Sequence, residues 1–356
     1  MYHRRWDPIS LDLAVGAPTP ARALWPAMLA ASAFLLLLLP STSGVALNSL
    51  SRAAFGGVAG AWTSCSSAVH HALEPRHSTA TLDELANVRI KGRESEILAH
   101  VALPSEPQTG PLPVLVLVHE FFGLSESIVA KAQLFADDLG CLVIAPDTFR
   151  GVSTSFIPRA IWLALSTPQD RVNRDLDDVL AWADSSECAR VAGVLADTKR
   201  VAVCGFCYGG GKALRYTTQA RPSAATVVWY GSPLTSASEL KALRAPVCGV
   251  FGTEDLQIPQ PVVNQFRAAL EEADIEHEVM SYYGAGHAFW SDVGQVEREE
   301  MPVIAGYRLT TNFLKGFYAG KESFAKKRAF LEFQLAEQDI GLGADESAEE
   351  DTAGDA

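Results

Sequence analysis

Five short apolar runs, each bounded by polar or turn-forming residues, constrain the fold of this chain more than any other feature. They are residues 114–118, 141–145, 201–204, 226–230 and 246–251. Continuous apolar runs of this length are typical of strands covered on both faces of a sheet. Segments with apolar residues at helical spacing, 125–139, 169–183, 262–273 and 303–317, lie between and after them. The alternation predicts an α/β fold in which a largely parallel sheet carries helices on both faces, after an opening hairpin at residues 89–90 and 96–102.

The beginning of the chain differs from this body in composition. Residues 27–39 form an unbroken apolar or small run with five consecutive leucines, and Arg4, Arg5 and Arg22 precede it. Thirteen residues are fewer than the roughly 20 that a membrane-spanning helix needs. The run is typical of the apolar region of a secretory signal, and a membrane anchor is the alternative. We therefore expect entry into the secretory pathway, with membrane contact only through this run if it is not cleaved.

Residues 41–73 contain seven Ser, two Thr and no Asp or Glu, a composition typical of an organelle transit peptide. A signal-like run followed by such a stretch resembles the bipartite presequences of plastids enclosed by extra membranes. We assign residues 1–84 to targeting and a linker, 85–335 to one folded domain, and 336–356 to a solvated acidic tail. The formal net charge of −13 argues against a nucleic-acid partner, since no excess of basic groups is available to neutralise phosphates.

One predicted strand leads directly into a turn centred on a cysteine. Residues 205–209 read G-F-C-Y-G, between the strand at 201–204 and a helical segment. This is the pattern of a nucleophile elbow, with Cys207 as the candidate nucleophile. Glycines two positions before and after it let strand and helix approach closely, and the helix N-terminus favours a thiolate. The backbone N–H of Tyr208 is a candidate oxyanion donor.

Two downstream residues complete a candidate triad. Asp255 follows the strand at 246–251, and His287 follows a strand-like segment at 276–283, so the chain order is nucleophile, acid, histidine. Both lie just after strands, at the edge of the sheet where the elbow lies. In this arrangement Cys207 attacks a carbonyl, His287 transfers the proton and Asp255 holds the imidazole tautomer. Glu254 is the alternative acid.

A further acidic residue, Glu120, follows the strand at 114–118 and points toward the same edge of the sheet. A solvated helix-capping glutamate is the alternative interpretation. The backbone N–H of the next residue, Phe121, is the second candidate oxyanion donor.

Together these residues resemble the dienelactone hydrolase family over residues 87–319. The matching segments are 119–124 (HEFFGL), 141–147 (CLVIAPD), 205–210 (GFCYGG), Asp255 with Pro259, and 286–289 (GHAF). The resemblance implies an α/β-hydrolase fold and hydrolysis of a small-molecule ester or lactone by a Cys-His-Asp triad, without metal or cofactor. It also implies that Glu120 interacts with the resting thiol and helps to activate it when substrate enters.

The chain departs from the family where a substrate carboxylate is bound. The family has an arginine four residues after the histidine, and here that position is Ser291. A second family arginine has four candidates, Arg150, Arg159, Arg171 and Arg174. Because a guanidinium is the best carboxylate receptor, we expect a substrate other than dienelactone itself. Trp290 and Ser291 are candidate pocket residues. Trp290 and the apolar segment 157–165 favour a substrate with a hydrophobic acyl group. The alternative is that Trp290 and this segment belong to the protein core.

Other functions share parts of this pattern. Residues 204–207 also read C-x-x-C, which is typical of thiol-disulfide redox proteins. The glycines at 209–211 and the Asp255/His287 pair argue against that function. A thioesterase or general carboxylesterase on the same fold, or a non-catalytic binding module, are the remaining alternatives. The sequence leaves the acyl group, the leaving group and the oligomeric state open.

Overall fold

The computed structural model describes residues 81–154 and 156–320, which fold around one eight-stranded sheet. Its strands are β1 (Val88–Lys91), β2 (Glu96–Ala102), β3 (Leu112–Val118), β4 (Leu142–Pro146), β5 (Ala196–Phe206), β6 (Ala225–Trp229), β7 (Val247–Gly252) and β8 (His277–Tyr282). Their order across the sheet is β1-β2-β4-β3-β5-β6-β7-β8. The β1–β2 and β2–β4 pairs are antiparallel, and the pairings from β4 onward to β8 are parallel. The predicted opening hairpin and largely parallel sheet are confirmed.

Helices cover both faces of the sheet, as predicted. The longer ones are α2 (Glu126–Leu139), α3 (Ile157–Ser166), α4 (Gln169–Ala183), α6 (Tyr208–Gln219), α8 (Gln260–Glu272) and α10 (Val303–Tyr318). The shorter ones are α1 (Leu82–Leu85), α5 (Ser186–Ala192), α7 (Ala237–Leu240) and α9 (Gly294–Glu297). Successive β3 residues serve opposite faces, because side chains alternate along a strand. Leu117 packs in one apolar cluster with α2 and α10, and Val116 packs in another with α4 and α6.

The sequence patterns locate the long elements well and the short ones poorly. Each residue of β3 and β4 is buried, which explains their uninterrupted apolar runs. The predicted helix at 169–183 is observed with those bounds. By contrast, the strand predicted at 201–204 extends to Phe206, and the four short helices were not predicted. Helices of four to seven residues give too few apolar repeats for a periodicity to be recognised.

The strand order reverses at β3. After β3 the chain moves to β4 on one side, and β5 then pairs with β3 on the other side. Such a reversal is where open α/β sheets bind ligands, outside the carboxyl ends of the strands. The segments after β3 and β5, which carry Glu120 and Cys207, therefore leave the sheet side by side.

The structure does not describe residues 1–80 and 321–356. The predicted acidic tail at 336–356 lies wholly outside the described residues, as does the predicted targeting segment and linker at 1–84 except for its last four residues, three of which belong to α1. Within the described part, no helix combines the length and apolar character needed to cross a membrane.

Candidate active site

Cys207 occupies a strained turn between β5 and α6. Its backbone has φ 53° and ψ −113°, an unusual conformation for a residue with a side chain. Its N–H donates to the carbonyl of Trp229 (2.9 Å), which ties the turn to the end of β6. The predicted strand–turn–helix context of the elbow is present, and it holds the thiol at the N-terminus of α6.

The flanking glycines are required by contact with the backbone. A Cβ on Gly205 would lie 2.1 Å from the carbonyl oxygen of Gly209. A Cβ on Gly209 would lie 2.2 Å from the carbonyl oxygen of Val118, the last residue of β3. The beginning of α6 is therefore packed directly against the end of β3, which places the segment carrying Glu120 next to the elbow.

His287 and Asp255 join Cys207 in a continuous chain of hydrogen bonds. His287 Nε2 lies 3.1 Å from Cys207 Sγ, and His287 Nδ1 lies 2.8 Å from Asp255 Oδ2. Because a carboxylate can only accept, the Nδ1 position carries the proton. Asp255 Oδ1 accepts from the backbone N–H groups of Gln257 (2.8 Å) and Ile258 (3.0 Å), so both carboxylate oxygens are bound. The structure brings together the three residues that the sequence predicted to act as a triad.

Glu254, the alternative acid, does not occupy the buried position beside His287. Glu254 is exposed, whereas Asp255 is buried with its side chain fully covered. A buried carboxylate beside one imidazole and two amides is positioned to orient the ring and to stabilise its positive charge. Asp255 is therefore the acid that the geometry selects.

Electrostatics in the site favour a protonated imidazole. Burial alone would lower the pKa of His287, but the hydrogen bonds and charges of Asp255 and Cys207 together raise that pKa to about 10. An imidazolium next to a thiol favours the thiolate. The arrangement therefore places a thiol in contact with a proton donor.

Glu120 lies in the site, and its observed partner is a tyrosine. Tyr230 Oη donates to Glu120 Oε1 (3.2 Å) and lies 3.5 Å from the carbonyl oxygen of Trp290. The Tyr230 ring packs edge-on to the His287 ring at 5.5 Å. Burial, and then the negative charges of Glu120 and Cys207, raise the pKa of Tyr230 well above its usual value, so the phenol stays protonated and donates. Tyr230 was not predicted from the sequence, and its place at the end of β6 was the available signal.

The two candidate oxyanion donors belong to neighbouring segments. Tyr208 is the first residue of α6, where a backbone N–H has no partner within the helix. Phe121 follows Glu120 after β3, and this segment is held by a buried histidine. His119 Nε2 accepts from the backbone N–H of Thr148 (3.1 Å), so Nδ1 carries the proton and donates to the Glu120 carbonyl (2.6 Å).

Trp290 does not line an open pocket, contrary to expectation. It is 0% exposed and packs against Phe206, Trp229 and Phe135 in the core. Its indole is held there because Nε1–H donates to the carbonyl of Asp292 (3.0 Å). From this core position Trp290 supports the segment that carries His287.

Ser291, by contrast, is exposed, and both its N–H and its hydroxyl bind Gln295 Oε1, at 2.8 Å and 3.1 Å. The side chain at this position is therefore polar and uncharged. It offers no positive group to a substrate carboxylate.

The candidate arginines differ in their partners. Arg150 pairs with Asp175 (2.6 Å) and with Glu94 (3.0 Å), and Arg174 also pairs with Glu94. Arg171 instead donates to the carbonyl of Thr148 (3.1 Å) and to Thr167 Oγ1 (3.0 Å). Arg159 is exposed on α3. Two of the four guanidiniums are thus already neutralised by carboxylates.

Cys204 lies within β5 and is fully buried, as expected for a residue that faces into the sheet. Burial raises the pKa of its thiol far above the usual value, so it is a poor thiolate. Cys207 and Cys204 are both free thiols. The C-x-x-C spacing therefore reflects a core cysteine followed by the elbow cysteine.

The geometry of the elbow and the triad agrees with comparisons to known proteins. A family model described as the dienelactone hydrolase family matches residues 97–318, well over half of the chain. The chain belongs to the dienelactone hydrolase family. Among curated relatives, a protein of Escherichia coli strain K12 named "Putative carboxymethylenebutenolidase" is 35% identical over 208 residues, which cover 54% of this chain and 73% of that protein. A protein of Methylorubrum extorquens with the same name is 29% identical over 266 residues, 69% of this chain and 88% of that one.

Solved structures show the same fold. The "Putative Dienelactone Hydrolase from Klebsiella pneumoniae" has a TM-score of 0.54 and 28% identity, covering 64% of this chain and 96% of that one. The dienelactone hydrolase-like promiscuous phosphotriesterase P91, from metagenomic libraries, has a TM-score of 0.52 and 20% identity, covering 65% and 95%, and shows the fold alone. This dienelactone hydrolase family member is a carboxylic ester or lactone hydrolase with the α/β-hydrolase fold.

Proposed function

We propose that this protein hydrolyses a carboxylic ester or lactone through a covalent intermediate on Cys207, and that its substrate is not dienelactone itself. The observation that supports the nucleophile most strongly is the continuous Cys207–His287–Asp255 chain, with contacts of 3.1 Å and 2.8 Å. A thiol in contact with an imidazole that an acid orients meets the geometric requirement for an activated nucleophile.

In the first half of the reaction, the Cys207 thiolate attacks the carbonyl carbon of the ester. The carbonyl electron pair moves to oxygen, where the backbone N–H groups of Phe121 and Tyr208 stabilise the oxyanion. When the tetrahedral intermediate collapses, the C–O bond breaks and the imidazolium of His287 donates its proton to the leaving alkoxide. The products of this half are an alcohol and a thioester on Cys207, and for a lactone both remain in one molecule.

In the second half, neutral His287 accepts a proton from water, and the hydroxide attacks the thioester carbonyl. The thiolate leaves, the carboxylic acid is released and His287 is again protonated. Asp255 accepts the hydrogen bond from His287 Nδ1 and stabilises the imidazolium. Glu120, held by Tyr230, contributes a second carboxylate to the site, and the resemblance to the family supports a role for it in activating Cys207.

The preference for a neutral substrate rests on the charged groups around the site. Ser291 is uncharged, and Arg150 and Arg174 are engaged by acids. Arg171 is the candidate guanidinium that binds only a carbonyl and a hydroxyl, so it is the position to test. We expect neutral esters and lactones to have higher kcat/KM than otherwise identical substrates with a free carboxylate, and R171M to leave that ratio unchanged.

The nucleophile is tested with p-nitrophenyl acetate and intact-protein mass spectrometry. C207A should abolish turnover, and rapid quenching of the wild type should trap one acetyl group on the Cys207 peptide. C188A is the matched control, because Cys188 is a buried thiol on α5. Turnover that survives in C207A, or acetyl groups spread over several cysteines, would refute the proposed mechanism.

The remaining functions give different results in the same assays. A thioesterase would favour acyl thioesters over oxygen esters of the same acyl group. A redox protein would reduce disulfides with dithiothreitol and lose this activity in C204A. A binding module would retain ligand without turnover.

A further inference from the structure

A fully buried histidine, His119, lies between the two segments that carry the candidate oxyanion donors. It directly follows β3 and is 0% exposed. Its ring stacks on the ring of Tyr208, with centroids 5.9 Å apart and planes inclined by 18°, and it meets the Phe149 ring edge-on at 4.8 Å. The reaction proposed above gives His119 no part, although it contacts Tyr208 and lies two residues before Phe121.

Hydrogen bonds determine where the proton of the His119 ring lies. Nε2 is 3.1 Å from the backbone nitrogen of Thr148 and 2.9 Å from its hydroxyl oxygen. Because a backbone N–H can only donate, Nε2 is an acceptor and the proton is on Nδ1. Asp147 Oδ1 lies 3.7 Å from Nε2, but the two Asp147 oxygens accept from the backbone N–H groups of Phe149 (2.9 Å) and Gly151 (2.6 Å). The ring therefore has one donor, the Nδ1–H group.

This donor is directed at the peptide that precedes Phe121. The Nδ1–H group donates to the backbone carbonyl of Glu120 at 2.6 Å. That carbonyl and the Phe121 N–H belong to one planar trans peptide unit, so the two groups point in opposite directions. A bond that holds the carbonyl on one side therefore holds the N–H on the other. Within the part of the chain that the structure describes, the Phe121 N–H has no hydrogen-bond acceptor, which leaves it available to a substrate oxygen.

The same peptide lies next to the nucleophile elbow. A Cβ on Gly209 would lie 2.2 Å from the carbonyl oxygen of Val118 and 2.5 Å from that of His119. Tyr208, the first residue of α6, carries the other candidate donor and is the residue on which the His119 ring stacks. One side chain thus contacts both segments from which an oxyanion hole would be built.

We infer that His119 is a positioning residue of the oxyanion hole, whose Nδ1–H group holds the Glu120–Phe121 peptide with its N–H directed at the carbonyl oxygen under attack. The inference rests on the function proposed above. A donor that is already oriented stabilises the developing negative charge without reorganisation when the charge forms. A hydrogen bond to the carbonyl of a peptide also polarises that peptide, which strengthens its N–H as a donor. Without Nδ1–H, the Glu120 carbonyl keeps the longer bond from the Gly123 N–H (3.2 Å), so the turn remains but the peptide is held less firmly.

The test compares two variants that each keep a different part of the histidine. H119F keeps an aromatic ring against Tyr208 and removes the donor, whereas H119N removes the ring and keeps an amide N–H group near the position of Nδ1. The measurement is the rate of p-nitrophenolate release in the first turnover of p-nitrophenyl acetate. H119F should be acylated about 10- to 100-fold more slowly than wild type, somewhat less than the loss of a whole oxyanion donor, and H119N should stay close to wild type.

H100F is the matched control for removal of a histidine donor. His100 lies on β2, which β4 separates from β3, and its Nδ1 donates to the Leu85 carbonyl (2.7 Å). The acylation rate of H100F should equal that of wild type. H119L replaces H119F if the phenylalanine variant does not fold.

Alkylation of Cys207 by iodoacetamide separates the orientation of the peptide from any effect on the thiol. The thiolate displaces iodide from a saturated carbon and no oxyanion forms, so H119F should be alkylated as fast as wild type. Equal losses of alkylation and acylation in H119F overturn the inference. An acylation rate lower in H119N than in H119F also overturns it, because the ring and not the donor would then matter. If wild-type Cys207 is not acylated, the proposed function fails and the inference fails with it, whereas wild-type acylation at a rate that H119F retains overturns the inference alone.

Discussion

Replacement of Asp255 by asparagine should lower the pKa of His287 while leaving the fold intact. In the wild type, that pKa is raised from 6.5 to about 10. This corresponds to about 5 kcal/mol in favour of the imidazolium, at about 1.4 kcal/mol for each tenfold change. Asp255 and Cys207 both contribute, through contacts of 2.8 Å and 3.1 Å. If each supplies about half, D255N loses about 2 to 3 kcal/mol and the midpoint falls to about pH 8.

The assay is a titration of histidine Cε1–Hε1 signals by NMR, with His287 assigned from the signal that H287N lacks. E254Q is the matched control, since Glu254 is the exposed neighbour of Asp255 and should leave the midpoint unchanged. C207A measures the contribution of the sulfur separately. A wild-type midpoint near 6.5, or an equal change in E254Q and D255N, would show that Asp255 does not control this proton.

Urea unfolding at several pH values measures the same effect of the His287 pKa as a change in the free energy of unfolding. Because the folded pKa of His287 is above its value of 6.5 in the unfolded chain, the associated stability is fully present below pH 6.5. It is lost as the pH rises through about 10. The free energy of unfolding of the wild type should therefore fall over this range by about 2 to 3 kcal/mol more than that of D255N. Parallel curves would refute the reasoning.

Two further substitutions test packing and burial. G209A should destabilise the protein by about 1 to 3 kcal/mol, or prevent folding, because the added Cβ would lie 2.2 Å from the Val118 carbonyl oxygen. G211A, whose Cβ would have no neighbour closer than 3.3 Å, is the control, and urea unfolding compares the two. K131M should raise the Tm, since Lys131 of α2 is fully buried and an apolar side chain of similar volume often stabilises a buried charged position by about 1 to 4 kcal/mol. Because the pKa of Lys131 is lowered on folding, wild-type stability should rise with pH below 10.5, and this slope should be smaller in K131M.

A K131M variant with a raised Tm would show that the lysine lowers the stability of the core. An ammonium in a low-dielectric core loses its hydration, and aromatic faces return only part of that loss. Lys131 is an informative example, since its direct contacts are a hydroxyl and two aromatic faces.

Much of the site could be predicted because its residues are adjacent to elements with strong local signals. Cys207 is identified by glycines that only a tight strand-to-helix turn requires, and Asp255 and His287 each follow a strand. Parallel strands present their carboxyl ends at one edge of the sheet, so the order of elements brings these residues together without any knowledge of distances. The choice of Asp255 over Glu254 needed the structure, because adjacent residues differ in burial in a way that spacing does not reveal.

Lys131 and Trp290 show where local patterns stop being informative. A lysine among Ile128, Ala132 and Phe135 was visible as an exception on an apolar helix face, but side-chain character alone does not tell whether it is buried or reaches water. Trp290 is close in sequence to His287, yet its indole lies in the core. The sequence by itself determined the α/β architecture and the chain order of the candidate residues Cys207, Asp255 and His287, because these depend on local periodicity and turn chemistry. Only the tertiary structure decided which charges are buried together, because burial and pairing depend on contacts between segments far apart in the chain.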